Sequence, residues 1–165
     1  MLRVFDLLYL MLSAYIANMA PPFVKYWRGW NRPINKRRLG DHKTVIGFVM
    51  GVLAAVVITY AQSCIEWSGN VISYSNWPML GLALGFGAMG GDALKSLFKR
   101  AHGIAPGQSW VPADQLDFVI GALILIWPWA HLSWADLTTI LIISFVGDVA
   151  VNHLAHWLGI RDTKW

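Results

Sequence analysis

Three aspartates, Asp92, Asp114 and Asp117, fall within residues 91–124 and share that stretch with Lys95, Lys99 and Arg100. Carboxylate oxygens are ligands for a hard cation, and magnesium prefers one or two of them plus substrate phosphates over an all-protein cage. Lys95, Lys99 and Arg100 are the groups that would meet those phosphates, Arg with a two-pronged donor and Lys as a point charge. Asp92, Ser96, Lys99 and Arg100 recur at spacings of three and four, which places them on one face of a helix. The "GIAPGQS" that follows breaks that helix. "PADQLD" then reads as a new helix start, with Asp114 and Asp117 three apart and favoured by the helix dipole. Taken singly, Asp114 is explained as a helix cap and Asp92 as a helix-end charge. Taken together they need more, because a carboxylate at bilayer depth costs about 2.5–3.5 kcal/mol. A magnesium and phosphate site formed by Asp92, Asp114 and Asp117 is therefore the expectation.

Other polar residues divide between structural and chemical roles. The loop "NRPINKRRLGDHKT" sets topology and sits on anionic headgroups, which accounts for Arg28 and Arg32. It does not account for Gly40, Asp41 and Thr44 around Lys43, so Lys43 is expected to bind phosphate. Asn18 precedes Pro21 and Pro22, and its plain role is to bond carbonyls freed where the helix bends or ends. Asp148, Asn152 and His156 recur every four residues and form a polar stripe in an apolar segment, a functional-site hypothesis by default. His153 and His156 do not make a zinc site, since two imidazoles without cysteine partners fall short of four ligands. "GFGAMG" matches a dinucleotide-binding spacing but lies inside an apolar run, where glycines four apart, Gly81 with Gly85 and Gly87 with Gly91, serve close helix packing. No nucleophile elbow, Walker loop or His-Glu-any-any-His helix is present in the sequence.

The elements that must position these residues are membrane spans. The chain is 56% hydrophobic and only 13% charged, with ten tryptophans in 165 residues. Soluble domains average about 25% charged residues. Five segments have the roughly 20 mostly apolar residues a span needs: 4–24, 45–64, 77–94, 116–135 and 137–158. An alternating strand pattern is missing, which argues against a β-barrel. Of the 13 Lys and Arg residues, all but Arg3 fall in the loops 25–44 and 95–115 or in the tail. That asymmetry predicts an N-terminus outside, a C-terminus in the cytoplasm and cytoplasmic active-site loops. It also argues against nucleic acid as the reason for the net charge of +4. The first segment is expected to be retained, because the dense basic cluster follows it rather than precedes it. Cys64 is alone, so no intrachain disulfide forms. The fold expected is a single all-α integral membrane domain over 1–165, multi-pass in the cell membrane.

Several stretches resemble one family: "NMAPP", "RRLGDHKTVIG", "GDALKSLFKRAHG", "PADQLDFVIGAL" and "LGIRDTKW". The element "KSLFKR" followed by "PADQLD" is similar to the signature of membrane cytidylyltransferases that make CDP-activated lipids. Gln115, between Asp114 and Asp117, brings it closer to the five-span branch, CDP-archaeol synthase. The resemblance implies CTP and a lipid phosphatidic acid as substrates, a CDP-lipid and diphosphate as products, and Mg2+ as cofactor. In the archaeal branch the lipid is an unsaturated archaetidic acid with two geranylgeranyl ether chains. It further implies that Asp92, Asp114 and Asp117 hold metal and nucleotide phosphates and, with Lys99, carry catalysis. Lys43, Lys99 and Arg100 would bind phosphate groups, and Asn18, Ser96, Gln115 and Asn152 would add polar contacts to CTP or lipid phosphate. One position departs from the family pattern: Asp148 stands four residues before Asn152, where a histidine is expected. Action on diacyl phosphatidic acid therefore stays open, as does a non-catalytic carrier using the Asp148 stripe. A homodimer is also left open.

Overall fold

The structure is a computed structural model that describes residues 2–24, 31–41, 43–65, 67–105 and 108–157. Seven helices make up the regular structure among them: α1 Leu2–Met19, α2 Pro21–Val24, α3 Lys36–Leu39, α4 Val45–Cys64, α5 Trp77–Ala101, α6 Ala113–Ile126 and α7 Trp134–Trp157. Among the described residues there is no strand, only an isolated bridge between Pro33 and Thr44.

α1 buries Leu7, Leu10, Met11, Ala14 and Ala17, the three-and-four spacing of one helical face. It ends where Pro21, which has no N–H to donate, opens the short α2. A buried polar network joins α1 to α4. Ser13 Oγ donates to Gln62 Oε1 at 2.7 Å and lies 2.8 Å from Thr59 Oγ1, and Gln62 Nε2 donates to the Tyr9 carbonyl at 2.5 Å. Hydrogen bonds of this kind link helices that have little hydrophobic reason to associate in lipid. Tyr15 Oη lies 2.7 Å from Ser144 Oγ on α7, and Arg3 makes a two-pronged ion pair with Asp136 at the far end of the same two helices.

α5 is the central element, and its glycines explain why. A Cβ on Gly81 or Gly85 would lie 2.9 Å from Cα of Val56 or Val52 on α4. A Cβ on Gly87 would lie 2.6 Å from Cα of Ala122 on α6, and one on Gly91 would lie 2.2 Å from the Asp117 carbonyl oxygen. One helix thus receives α4 on one side and α6 on the other at backbone contact, the close packing that small residues permit. α7 packs on α1 and α6.

Three helical stretches, Arg3–Val24, Val45–Cys64 and Trp134–Leu154, are long and apolar enough to cross a membrane. Their outer faces are apolar: Val49, Leu53 and Val57 on α4, and Ile142, Val146 and Val151 on α7, are all exposed. Such a surface suits lipid rather than water.

Two segments depart most from the sequence expectation. The fourth segment, expected over 116–135, starts at Ala113 and stops at Ile126. Pro128 explains the stop: its ring clashes with the preceding turn and it lacks a donor. At 1.5 Å per residue, 14 residues rise about 21 Å, less than the roughly 30 Å of a bilayer core. The third segment, expected over 77–94, runs on to Ala101, so seven residues assigned to the loop 95–115 are helical. Gly103, at φ +72°, ends it. The Ile104 N–H donates to the Lys99 carbonyl and the Gly103 N–H to that of Arg100, satisfying the last-turn acceptors.

Candidate active site

The C-terminal third of α5, the start of α6 and the loop before α4 meet at one end of the bundle. The loop is held in shape by its own sequence. Asn35 Oδ1 caps α3 at the Arg38 N–H, 3.0 Å away. Gly40 ends that helix at φ +87°, a conformation that disfavours a side chain. Asp41 pairs with Lys36 at 3.4 Å, and Thr44 caps α4 through the Gly47 N–H at 3.1 Å. The Ile34 N–H donates to the Lys43 carbonyl at 2.8 Å, which fixes the backbone from which Lys43 reaches out. Gly40, Asp41 and Thr44 therefore shape a turn that presents Lys43.

Lys43 Nζ forms an ion pair with Asp92 on α5. One helical turn on, Lys95 Nζ lies 2.8 Å from Asp117 Oδ2, 3.0 Å from Asp114 Oδ1 and 3.3 Å from Asp92 Oδ1. Lys99 Nζ donates to Asp114 at 2.9 and 3.1 Å and to the Gln108 carbonyl. Three carboxylates and three ammonium groups are thus interleaved. The side chain of Asp117 is 5% exposed and that of Lys99 is 9% exposed. The backbone adds two short contacts. The Trp110 N–H donates to Asp114 Oδ2 and the Phe118 N–H to Asp117 Oδ1, each at 2.6 Å.

These contacts set the charge states at the rim. Burial pushes the Asp114 pKa upward, but Lys99, the Trp110 N–H and Lys95 together outweigh it and hold the carboxyl below its ordinary value. Burial opposes the charge on Lys95, and Asp92 and Asp117 outweigh that and raise its pKa. Asp114 is ionised and Lys95 charged at neutral pH.

The residues singled out from sequence are distributed unevenly. Asp92, Asp114, Asp117, Lys43 and Lys99 come together. Ser96 is buried beside them, but its hydroxyl donates to the Asp92 carbonyl at 2.9 Å, back along its own helix. Gln115 is 1% exposed with Oε1 unpartnered, and the Nε and Nη1 of Arg100 are also buried without hydrogen-bond partners. Asn18 is half-buried near the end of α1, and no hydrogen bond ties it to the cluster among the described residues. Asn152 Nδ2 donates to Asp148 Oδ2 at 2.7 Å along α7, which packs on α1 and α6 rather than on α5. The tail "LGIRDTKW" lies outside the described residues.

Sequence reasoning gave Lys95 a share of the phosphates but missed that it organises the cluster. Its spacing from Asp92 and Lys99, three and four residues, was the available signal. Among the described residues no three acidic, histidine or cysteine side chains are placed to enclose one ion. The carboxylates converge instead on an ammonium group. This all-oxygen donor set around a cation suits a magnesium that arrives with phosphates and needs only one or two protein carboxylates.

The comparisons with known proteins agree with one another. The family model described as "CarS-like: CDP-archaeol synthase" matches residues 1–165. A CDP-archaeol synthase of Methanospirillum hungatei is 34% identical, covering 94% of this chain and 100% of the relative. One from Methanopyrus kandleri is 30% identical, covering 96% and 91%, and one from Thermococcus kodakarensis is 32% identical, covering 93% and 92%. A solved structure described as an intramembrane enzyme for archaeal membrane lipid biosynthesis superposes with a TM-score of 0.70. It is 29% identical, and the match covers 90% of this chain and 94% of that one.

Proposed function

The chain belongs to the CDP-archaeol synthase family, and from that premise we propose how its residues perform the reaction. It is a multi-pass membrane enzyme that uses CTP and transfers CMP to the phosphate of 2,3-bis-O-geranylgeranylglycerol phosphate. CDP-archaeol and diphosphate are the products. An oxygen of the lipid phosphate attacks the α-phosphorus of CTP, a new P–O bond forms, and the bond to the diphosphate breaks. No nucleophilic side chain is needed. The task of the protein is alignment and electrostatic stabilisation, as in other phosphoryl transfers.

The observation that carries this assignment of roles is the convergence of Asp92, Asp114 and Asp117 with Lys43, Lys95 and Lys99 where two helix ends and a shaped loop meet. Lys43 comes from the loop and Lys99 from α5, so phosphates lying between them are held from two sides. Lys99 also bonds the Gln108 carbonyl, which ties residues 108–112 to the site. The buried, unpartnered donors of Arg100 and the unpartnered Oε1 of Gln115 are groups whose hydrogen bonds the substrates would complete. Magnesium would be held by Asp92, Asp114 or Asp117 together with the CTP phosphates, and when bound it supplies charge neutralisation and a template for the diphosphate. Asn18 and Asn152, at the same end of α1 and α7, are assigned contacts to the lipid phosphate.

The membrane arrangement we propose has five crossing segments, with the site end cytoplasmic. The cation asymmetry supports it. α6 is short, and the turn after it leaves Trp127 and Trp129 exposed, side chains that suit the membrane–water interface. One substrate then reaches the cluster from water and the other from the bilayer.

The experiment is a transfer assay. Purified protein, magnesium and CTP labelled at the α-phosphate are incubated with the geranylgeranyl ether phosphatidic acid or with a diacyl phosphatidic acid. Label in the ether lipid product is expected, with the diacyl lipid the poorer acceptor. Equal or better labelling of the diacyl lipid would overturn the lipid assignment.

A further inference from the structure

We propose that Lys95 is the resident counter-ion of the aspartate cluster, standing in for metal until nucleotide arrives, and that it thereby keeps the enzyme from holding magnesium without CTP. The inference rests on the proposed magnesium-binding role of the three aspartates and adds an order of binding to it.

The geometry carries it. Lys95 Nζ lies within 3.3 Å of carboxylate oxygens from Asp92, Asp114 and Asp117, which come from two helices. Lys43 and Lys99 pair only with the outer two acids, Asp92 and Asp114. Asp117, the most buried of the three, is paired with Lys95 alone among these lysines. An ordinary helix-surface pair joins one acid to one base at i, i+3 or i+4. Here one ammonium group takes the central position that a cation among carboxylates would take. As a single charge on a flexible four-carbon stem, it can leave that position without backbone movement. When CTP brings phosphates and metal together, the ammonium group has a new anionic partner and the carboxylates a new cation. Without CTP, a metal ion would have to displace Lys95 with nothing to receive it.

Lys95 is in this account a positioning residue for metal, and metal affinity is what tests it. Mn2+ binding to the full-length purified protein would be measured by titration at pH 8, with and without CTP. Wild type is expected to bind Mn2+ weakly alone and tightly with CTP. Lys95→Met is expected to bind Mn2+ without CTP at least about tenfold more tightly than wild type, because a unit positive charge leaves the centre of the cluster. Lys95→Arg, which keeps the charge, should stay weak. If Lys95→Met does not yield folded protein, Lys95→Met with Asp114→Asn is compared with Asp114→Asn alone, and the same tightening is expected. Unchanged Mn2+ affinity on losing Lys95, with wild type still binding metal in the presence of CTP, would overturn the proposal and leave Lys95 a phosphate contact only. Failure of wild type to bind Mn2+ even with CTP would overturn the magnesium assignment and this proposal together.

Discussion

At the residue scale, the acids and bases of this site were visible because helices repeat every three to four residues. Asp92 and Lys99 had to share a face of α5, and Asp114 and Asp117 one side of α6. The organising role of Lys95 was not visible, since two of its three partners lie on another helix and sequence does not state the register between helices. The pairing of Asp114 makes a pH prediction. Its pKa is depressed in the folded protein, so the stability it contributes is fully present above the ordinary carboxylate value, about 3.9, and is lost as pH falls through the folded value. The thermal midpoint of wild type should exceed that of Asp114→Asn by a constant margin from about pH 5 to 8, and the margin should shrink toward pH 3. A margin that grows on acidification would contradict the Lys99–Asp114 pairing.

At the element scale, α4 matches the apolar run 45–64 read from sequence, because a uniform hydrophobic stretch bounded by Thr44 leaves little choice. The end of the fourth segment was misjudged, because apolar composition continues past Pro128 while the helix does not. The packing role of the glycines was legible from their spacing of four, but their partners were not. That role predicts a contrast. A Cβ at Gly121 would lie 2.1 Å from the Gly87 carbonyl oxygen, whereas one at Gly90 meets nothing within 4 Å. Gly121→Val should lower stability by about 1–3 kcal/mol, seen as a lower thermal midpoint in detergent, with transfer activity falling as α5 and α6 separate. Gly90→Ala should stay within about 0.5 kcal/mol of wild type. Equal effects of the two substitutions would show that α5 and α6 do not approach as closely as described.

At the scale of the whole molecule, the cations and the apolar runs gave an orientation that helix packing by itself does not specify. It is tested by thiol labelling. Cys64 is free and exposed at the end of α4 distant from the site. In intact cells a membrane-impermeant thiol reagent should label Cys64, while a cysteine placed at Gln108 in a Cys64→Ser background should react only in opened membranes; the reverse pattern would invert the topology. Orientation matters because the central claim is that the carboxylate and lysine cluster joins a water-borne nucleotide to a lipid held in the bilayer. The most direct test compares wild type with Asp114→Asn and Asp117→Asn in transfer of labelled CMP from CTP to the ether lipid phosphate. Both variants should keep a cooperative thermal transition and lose transfer by about 10²-fold or more; wild-type rates in both would contradict the account.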